Sequence, residues 1–414
     1  MGYSNQFFNA LGVDPKSRPE INKLAKRVRI PSHRLSYYNE KNILPSGSDM
    51  VQIEEELGVF ELDLAIKMGR LDHASTELIQ QNADEILALL KDHRNSIKPN
   101  PKDTDSLVYQ STLGSLHQAD CLDFLTNIDS DSVDLVFADP PFNLAKLYPS
   151  NMDDNLRVEE YLKWSEQWLK ECIRTLKPGG ALFTWNLPLW NSQLSGFLHS
   201  RLTFKHWVAA DIKYSLPIQG RLYPSHYSLL YFVKGEQPNT FHADRLPTPT
   251  CPKCFDNLKD YGGYKHKMNP KGVSLTDIWT DIPPVRHAKY KKREGANELS
   301  VKLLDRVIEM ASNPGDLVLD PFGGSGTTYV VAELKGRRWL GCELGPCDVI
   351  IDRFQKIEND EKHLERIRSE LNHLYPENIR KERERRGLWT AESVAKKNSP
   401  QDYPKPEELQ LFKN

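Results

Sequence analysis

An apolar run that ends in Asp139-Pro140-Pro141-Phe142 places the strongest constraint on the fold. Every residue from 133 to 138 except Asp134 is apolar, as is typical of a parallel strand buried on both faces. Because proline cannot donate to a sheet ladder, the two prolines end the strand and stiffen the loop that follows. We therefore expect Asp139 at the carboxyl end of a strand, the edge where α/β sheets bind ligands. Taken alone, the stretch also fits an ordinary Asp-Pro turn.

A second apolar strand, residues 316–320, runs into the glycine-rich stretch 321–328, and a helical pattern follows at 329–334. Glycines let the backbone approach a ligand closely, and the start of a helix offers N–H groups without partners. A third short strand, residues 338–342, ends at Glu343, at the spacing from which an acidic residue reaches ribose hydroxyls. The pattern predicts a site for a nucleotide-like cofactor.

The two stretches together resemble the amino-group DNA methyltransferases, which use S-adenosylmethionine. The sequence DPPF at 139–142 resembles their catalytic motif, and DPFGGSGTT at 320–328 resembles their cofactor motif. The catalytic motif comes first and a long insert separates the two, which is similar to the permuted β class of these enzymes. The resemblance covers residues 105–360 and implies an α/β fold with a Rossmann-like S-adenosylmethionine-dependent methyltransferase sheet.

The resemblance also implies which side chains form the site. The catalytic residues would be Asp139, Pro140, Pro141 and Phe142. The cofactor-binding residues would be Asp120, Asp139, Asn297, Leu299, Asp320, Pro321, Phe322, Gly323, Gly324, Ser325, Gly326, Thr327 and Glu343. Asp120 also suits the N-cap of a helix, and the two roles are compatible. The segment 297–300 opens a helix that in the family closes over the methionine part of the cofactor; the alternative is a capped core helix.

The implied reaction moves a methyl group from S-adenosylmethionine to the exocyclic N6 amine of adenine in duplex DNA, within a restriction–modification system. The Asp139 carboxylate and the Pro140 carbonyl can accept both amino hydrogens, and Phe142 can stack on a base flipped out of the duplex. No metal is required. Aspartate in the first position resembles the adenine enzymes, whereas their cytosine-N4 relatives more often have serine there. Cytosine N4 stays open as the alternative because both amines present the same local chemistry.

Residues 1–72 are expected to form a separate, small all-α domain. Apolar residues recur at helical spacing over 21–28, and Pro31 and Ser32 open a second helix. This pattern resembles the helix-turn-helix domain of phage-repressor type, whose second helix enters the major groove, although residues 3–13 match its usual leading helix poorly. The alternatives are a helical bundle that contacts protein and a DNA-binding regulator that acts on a promoter. The implied DNA contacts are Ser32, His33, Arg34 and Tyr37.

The rest of the chain divides into a linker, an insert and a tail. Residues 73–104 begin as a helix over 74–91 and continue as a proline-containing linker. Residues 236–285 break the α/β rhythm at the position of the family's target-recognition region, and loops on a rigid scaffold usually carry specificity. Beyond the catalytic domain, residues 361–414 are expected to form a charged helix and tail. The DNA contacts expected in and after the insert are Tyr264, Lys265, Lys291, Lys292 and Arg293.

A Cys-Pro-Lys-Cys stretch within the insert gives a weak indication of metal binding. Cys251 and Cys254 have the spacing of half a tetrahedral zinc site. No second CxxC follows in the sequence, and one such pair is a weak signal. Two free thiols in a tight loop are therefore the favoured interpretation, and we expect no metal site.

The composition fits a globular protein that carries its DNA-binding charge locally. Hydrophobic residues make up 39% of the chain and charged residues 27%, and no apolar run is long enough to predict a membrane helix. The first ten residues lack the pattern of a signal peptide, and six cysteines are few enough to suggest a reduced cytoplasm. The net charge of −2 means that DNA binding requires local basic clusters. The expected partner is double-stranded DNA; a cognate restriction endonuclease and a second copy of the chain stay open, and no membrane contact is expected.

Overall fold

The structure, a computed structural model, describes residues 7–89 without 42, 43, 46 and 72; 106–144; 155–246 without 212–218, 221 and 223; 260–267 without 261; 273–282; 298–370; and 377–387. The chain divides into two compact units, Met1–Pro99 and Asn100–Asn414. No helix within the described ranges is both long and apolar enough to cross a membrane. Among the expected residues, Asn297, Lys291, Lys292, Arg293, Cys251 and Cys254 lie outside the described residues.

The N-terminal unit is helical throughout its described part. Its helices are α1 Phe7–Ala10, α2 Arg18–Val28, α3 Ser32–Lys41, α4 Ser48–Leu57, α5 Glu61–Met68, α6 His73–Gln81 and α7 Ala83–Leu89. A core that includes Phe7, Val28 and Leu35 holds the first five helices together. The four-residue α1 stands where residues 3–13 matched the expected leading helix poorly, and both of its phenylalanines are buried.

The single helix expected over 74–91 is instead two short helices, which is a correction to the sequence analysis. The break falls at Asn82, between α6 and α7. The Asn82 side chain donates from Nδ2 to the carbonyl oxygen of Leu78 at 2.8 Å. Asparagine side chains compete with the backbone for such carbonyls, which explains why the helix ends here.

The C-terminal unit is built on a nine-stranded sheet in the part that the structure describes. Its strands are β1 Leu107–Gln110, β2 Gly114–Gln118, β3 Val133–Ala138, β4 Leu176–Asn186, β5 Thr203–Asp211, β6 His226–Val233, β9 Ile278–Trp279, β10 Leu317–Asp320 and β11 Arg338–Glu343. They lie in the order β1-β2-β11-β10-β3-β4-β6-β5-β9. A separate antiparallel ribbon joins β7 Arg245–Leu246 to β8 Val273–Ser274.

The sheet is mixed, although apolar strands and helical patterns alternate in the sequence, an alternation that favours a parallel sheet. The central strands β2, β11, β10, β3 and β4 are parallel, as expected. However, β6 runs antiparallel to both β4 and β5, and β1 runs antiparallel to β2. The apolar run at 229–233, which lies in β6, indicates burial on both faces but carries no information about strand direction.

Helices cover both faces of the sheet and fix the two cores. One face carries α8 Cys121–Thr126, α9 Val158–Thr175 and α10 Pro188–His199, and its core includes Val136 and Trp168. The other face carries α11 Val301–Ala311, α12 Thr327–Leu334, α13 Asp348–Gln355 and α14 Ile357–Glu370, and its core includes Leu135 and Phe137. Alternate residues of β3 therefore serve opposite faces, as a strand buried on both faces requires.

The charged amphipathic pattern from Asp348 to Arg368 predicts one helix, but this segment is also divided. It forms α13 and α14, and Lys356 between them has φ −118° and ψ 30°, outside the helical region. A last described helix, α15, spans Glu377–Arg385. The bend matters for the site because it turns α14 back toward α13, so that side chains of the two helices meet.

Candidate active site

The carboxyl ends of the parallel strands gather the predicted motifs at one edge of the sheet. β3 pairs with β10 in parallel, with Leu135 opposite Val318. The loops that leave these strands, at Asp139 and Pro321, therefore start side by side although the insert separates them in sequence. β11, which ends at Glu343, is the other neighbour of β10. The edge is the one at which α/β sheets bind ligands.

Two side chains from neighbouring helices fix the loop that carries DPPF by donating hydrogen bonds to its backbone carbonyl groups. The Tyr161 hydroxyl donates to the carbonyl oxygen of Pro141 at 2.8 Å, and Trp190 Nε1 donates to that of Phe142 at 2.7 Å. Asn186 in turn donates to the Tyr161 hydroxyl at 3.1 Å. Within the described residues, no group donates to the carbonyl oxygen of Pro140. These bonds thus leave the carbonyl group of the buried Pro140 next to the half-buried Asp139.

A second clamp holds the chain just after the motif. Asn143 has a positive φ of 52°, a conformation that asparagine tolerates better than most residues. Its side chain bonds the Leu156 backbone in both directions, accepting from the N–H at 2.7 Å and donating to the carbonyl at 2.8 Å. These supports were not identified from the sequence; the only sequence signal for them is a set of polar and aromatic side chains whose polar atoms need partners when buried.

Aromatic rings line the edge next to the motif. The Phe142 ring lies 5.6 Å from that of Tyr227, and Tyr227 lies 5.0 Å from Trp185. Because β6 is antiparallel, its first residues, including Tyr227, reach the same edge as the ends of β3 and β4. Both Phe142 and Tyr227 are half-buried, so each ring keeps a face that a planar group could contact.

The glycine loop that follows β10 is held from below by Asp320. This carboxyl accepts from the Phe322 N–H at 2.9 Å and from the Thr328 hydroxyl. Only 2% of Asp320 is exposed, so the structure makes it a support of the loop rather than an open ligand group. Phe322 packs against the buried Trp168, with ring centroids 5.1 Å apart. Trp168 is thus part of the core.

Burial raises the pKa of Asp320 to about 7, and the negative charge of Glu343 adds to this effect. The hydrogen bonds from Thr328 and from the Phe322 N–H act in the opposite direction. Because the ordinary value is 3.8, the folded chain binds this proton more tightly than the unfolded chain between about pH 4 and pH 7. Asp320 therefore makes the free energy of unfolding fall as the pH rises through that window.

We expect Asp320→Asn to remove this component. The unfolding free energy of the variant, relative to the native chain, should rise by up to ~1.4 kcal/mol per pH unit from pH 4 to pH 7. Denaturant unfolding followed by tryptophan fluorescence measures the free energy of unfolding of the C-terminal unit, because all eight tryptophans lie beyond position 99. A difference that does not change with pH would contradict the expectation, whatever its size.

Glu343 and the segment before α11 complete the surroundings of the glycine loop. Glu343 accepts from the Gly324 N–H at 2.7 Å and from the Gly345 N–H at 2.7 Å. Across the loop, the Thr327 hydroxyl donates to the carbonyl oxygen of Leu299 at 3.3 Å. The buried hydroxyl of Ser300 has no hydrogen-bond partner within the described residues. The loop is thus bonded to the Glu343 side chain and to the backbone of the segment before α11.

Asp120 follows β2, the strand next to β11, and reaches the same edge. Its carboxylate accepts from the Leu122 N–H at 2.8 Å, so it caps α8. The Ala119 N–H donates to the carbonyl oxygen of Glu343 at 3.1 Å, which ties the two strand ends together. Asp120 is exposed, and the cap uses one of its two carboxylate oxygens, so capping leaves room for a second role at this edge.

The expected DNA contacts of the N-terminal unit lie on α3. His33 and Arg34 are exposed and Tyr37 is 50% exposed, while Ser32 is half-buried. Arg34 is not independent, because its Nη1 forms an ion pair with the buried Asp49 at 3.0 Å. The Tyr38 hydroxyl also donates to Asp49, and burial together with this bond raises the pKa of Tyr38 to about 12. Arg34 and Tyr38 therefore tie α3 to α4.

The part of the insert that the structure describes presents a turn. Asp260 accepts from the Tyr264 N–H at 3.0 Å, and residues 265–267 form one turn of 3₁₀ helix. Tyr264 is 65% exposed, and Lys267 lies 4.9 Å from its ring. Lys265 is half-buried. Within the described residues, no group of three or more His, Cys, Asp or Glu side chains could hold a metal ion.

Comparisons with known proteins agree with this geometry. Residues 133–351 match the family model described as DNA methylase, that of the N6 and N4 methyltransferases. The Type II methyltransferase M.BamHI of Bacillus amyloliquefaciens is 44% identical over 384 residues, which cover 92% of this chain and 90% of that protein. This match is longer than positions 100–414, so it extends into the N-terminal unit.

Two further similarities cover more than half of this chain. The DNA adenine methyltransferase YhdJ of Escherichia coli K12 is 30% identical over 235 residues, 54% of this chain and 76% of that protein. Among solved structures, PvuII DNA methyltransferase, which is cytosine-N4-specific, matches with a TM-score of 0.45 at 20% identity, over 62% of this chain and 94% of that one. The family model matches more than half of this chain, and the match to M.BamHI covers most of it. The chain therefore belongs to the DNA methylase family of N6 and N4 methyltransferases.

Proposed function

We propose that this chain transfers the methyl group of S-adenosylmethionine to the exocyclic amine of a base in duplex DNA, with N6 of adenine as the first candidate. One observation carries the proposal. The pairing of β3 with β10 makes the DPPF loop and the glycine loop neighbours at one edge of the sheet. A methyl donor held by one loop and an amine held by the other would meet there, and such alignment contributes much of the rate.

The residues around the glycine loop suit S-adenosylmethionine. This cofactor supplies a methyl group on a positively charged sulfur. The carboxylates of Asp120 and Glu343 make the edge acidic, which favours a cation. We expect Glu343 to accept from ribose hydroxyls. The Ser300 hydroxyl, which has no partner within the described residues, is expected to bind the amino-acid part of the cofactor.

The DPPF loop suits an amine. The Asp139 carboxylate and the Pro140 carbonyl are acceptors that could take the two amino hydrogens and draw the nitrogen out of conjugation with the base. Two acceptors fixed before the reaction lower its barrier because they need no reorganisation. Phe142, supported by Tyr227, could stack on the base once it is flipped out of the duplex.

Digestion of methylated DNA to nucleosides tests the proposal. DNA incubated with the chain and labelled S-adenosylmethionine should yield labelled N6-methyladenine, and the label should depend on both components. Labelled N4-methylcytosine would support the same class of reaction with cytosine as the target base, because the same acceptors can bind its amine. Label in C5-methylcytosine, or no label in DNA, would refute the proposal.

We further propose that the chain is the modification enzyme of a restriction–modification pair, since several relatives are Type II methyltransferases. Plasmid DNA from cells that express the chain should then resist an endonuclease that cuts at the methylated sequence. The matched comparison is plasmid from cells that express an Asp139→Ala variant. Equal cleavage of both plasmids at a site shown to be methylated would contradict the protective role.

The N-terminal unit is proposed to add DNA contacts through α3. The three-residue connection between α2 and α3, and the exposure of His33 and Tyr37, support this role. We expect deletion of residues 1–99 to leave methyl transfer on short duplexes measurable and to weaken DNA binding. If the unit binds phosphates, the slope of log affinity against log salt should become shallower by about 0.9 for each phosphate that the truncated protein no longer neutralises. Identical slopes and affinities for both proteins would leave the unit with a structural or protein-binding role.

A further inference from the structure

A buried arginine outside the predicted site lies behind the glycine loop. The Arg353 side chain, on α13, has no exposed surface. Its Nε and Nη2 donate to the two carboxylate oxygens of Asp360 on α14, at 2.9 Å and 3.0 Å. Burying a charged group costs free energy, and apolar side chains of similar size would stabilise the fold as well. Stability alone therefore does not explain the buried pair.

The other edge of the same guanidinium reaches the glycine loop. Arg353 Nη1 donates to the carbonyl oxygen of Ser325 at 3.1 Å and to the Thr327 hydroxyl at 2.7 Å. Thr327 then donates to the carbonyl oxygen of Leu299. One continuous chain of hydrogen bonds therefore connects α14, α13, the glycine loop and the segment before α11.

The packing of α13 on the loop is equally close. Gly326 has a φ of +74°, and a Cβ atom at this position would come within 2.7 Å of Ile350 Cγ2. Arg353 and Asp360 both lie beyond residue 351, where the match to the family model ends. The C-terminal helix pair is thus in direct contact with the loop although it extends beyond the matched region.

We propose that Arg353, oriented by Asp360, is a positioning residue that fixes the glycine loop and the 298–300 segment in the geometry that binds S-adenosylmethionine. This inference rests on the proposed function of the same site. A planar guanidinium suits the task because its two edges can hold a carboxylate and the loop at the same time. A lysine could pair with Asp360 but has no second edge in a fixed direction.

The double variant Arg353→Met/Asp360→Leu separates positioning from stability. It removes both charges and keeps the volume, so the unfolding temperature should stay close to that of the native chain. The loop nevertheless loses its donors, and we expect the affinity for S-adenosylmethionine, measured by calorimetry, to fall about tenfold, the scale of one charge-assisted hydrogen bond. KM for the cofactor should rise by a similar factor, with a much smaller change in kcat. Arg353→Lys should show the same weakened affinity.

Arg337→Met is the matched control. Arg337 is also a buried guanidinium, and it donates to the carbonyl oxygens of Ser312 at 2.7 Å and Lys335 at 2.9 Å. It precedes β11, at the end of the strand opposite to Glu343, so its loss should lower the unfolding temperature and leave cofactor affinity unchanged. If this variant lowered the affinity for S-adenosylmethionine as much as the double variant does, a general loss of packing would explain both results and the inference would fail.

The outcomes distinguish this inference from the proposed function. A native chain that does not bind S-adenosylmethionine would overturn the proposed function itself. A native chain that binds it, together with a folded double variant of equal affinity, would overturn only the positioning role. If the double variant does not fold, Arg353→Lys keeps both charges and removes the second edge that reaches Ser325 and Thr327. Its affinity should then fall, and an unchanged affinity would overturn the inference.

Discussion

Replacement of Asp139 by alanine is expected to reduce methyl transfer by roughly 10³-fold or more, the scale for losing a fixed electrostatic partner of the reacting group. The affinity for S-adenosylmethionine should stay largely intact. The reason is the division of labour at the sheet edge. Asp139 belongs to the loop held by Tyr161 and Trp190, whereas the cofactor would lie on the loop held by Asp320 and Arg353.

The measurement is turnover with labelled cofactor, together with calorimetric titration of S-adenosylmethionine. Asp134→Ala is the matched control, because Asp134 lies on the same strand, at its opposite end, where it pairs with Lys177 at 2.8 Å and accepts from the Leu317 N–H at 2.9 Å. That control should lose stability but keep turnover per folded molecule. Native turnover in the Asp139 variant would remove Asp139 from the catalytic role.

The strands that position the two motifs could be predicted from the sequence because most of their residues are apolar and consecutive. The run at 133–138 matches β3 residue for residue, and the observed β10 and β11 agree with the predicted strands to within one residue. By contrast, β2 and β5 were not predicted. Leu116 is the only buried residue of β2, and β5 buries only Val208 and Ala210, so neither strand has the apolar run that marks a central strand.

The supports of the site could not be predicted for a different reason. The sequence shows that Tyr161, Trp190 and Arg353 are present, but their partners are backbone carbonyls that only the packed fold brings near. A carbonyl occurs at every residue, so a side-chain donor gives no indication of which one it will meet. The roles of the motif residues came from resemblance, whereas the supports depend on tertiary packing.

Exchange of residues 247–272 for the corresponding segment of a relative is expected to change the DNA sequence that is methylated. The structure indicates where to join the segments. β7 and β8 pair immediately outside this stretch, with Leu246 opposite Val273. Asp244, just before β7, forms an ion pair with Arg368 at 2.8 Å. The backbone N–H of His242 donates to the carbonyl oxygen of Met310. Both ends of the stretch are therefore anchored to the unit by contacts that the exchange leaves unchanged.

The physical reason is that base edges carry sequence information, whereas phosphate contacts fix register. The exposed turn with Tyr264 and Lys265 lies inside the exchanged stretch, and the sheet edge with both motifs lies outside it. The chimera should therefore bind S-adenosylmethionine with native affinity and methylate a new sequence, which sequencing of methylated DNA from expressing cells would identify. In the intact chain, Tyr264→Ala should relax the preference or slow the reaction at the native sequence. A chimera that folds, binds the cofactor and still methylates the native sequence would show that another part of the chain recognises the DNA sequence. The exposed face of α3 would then be the first place to test.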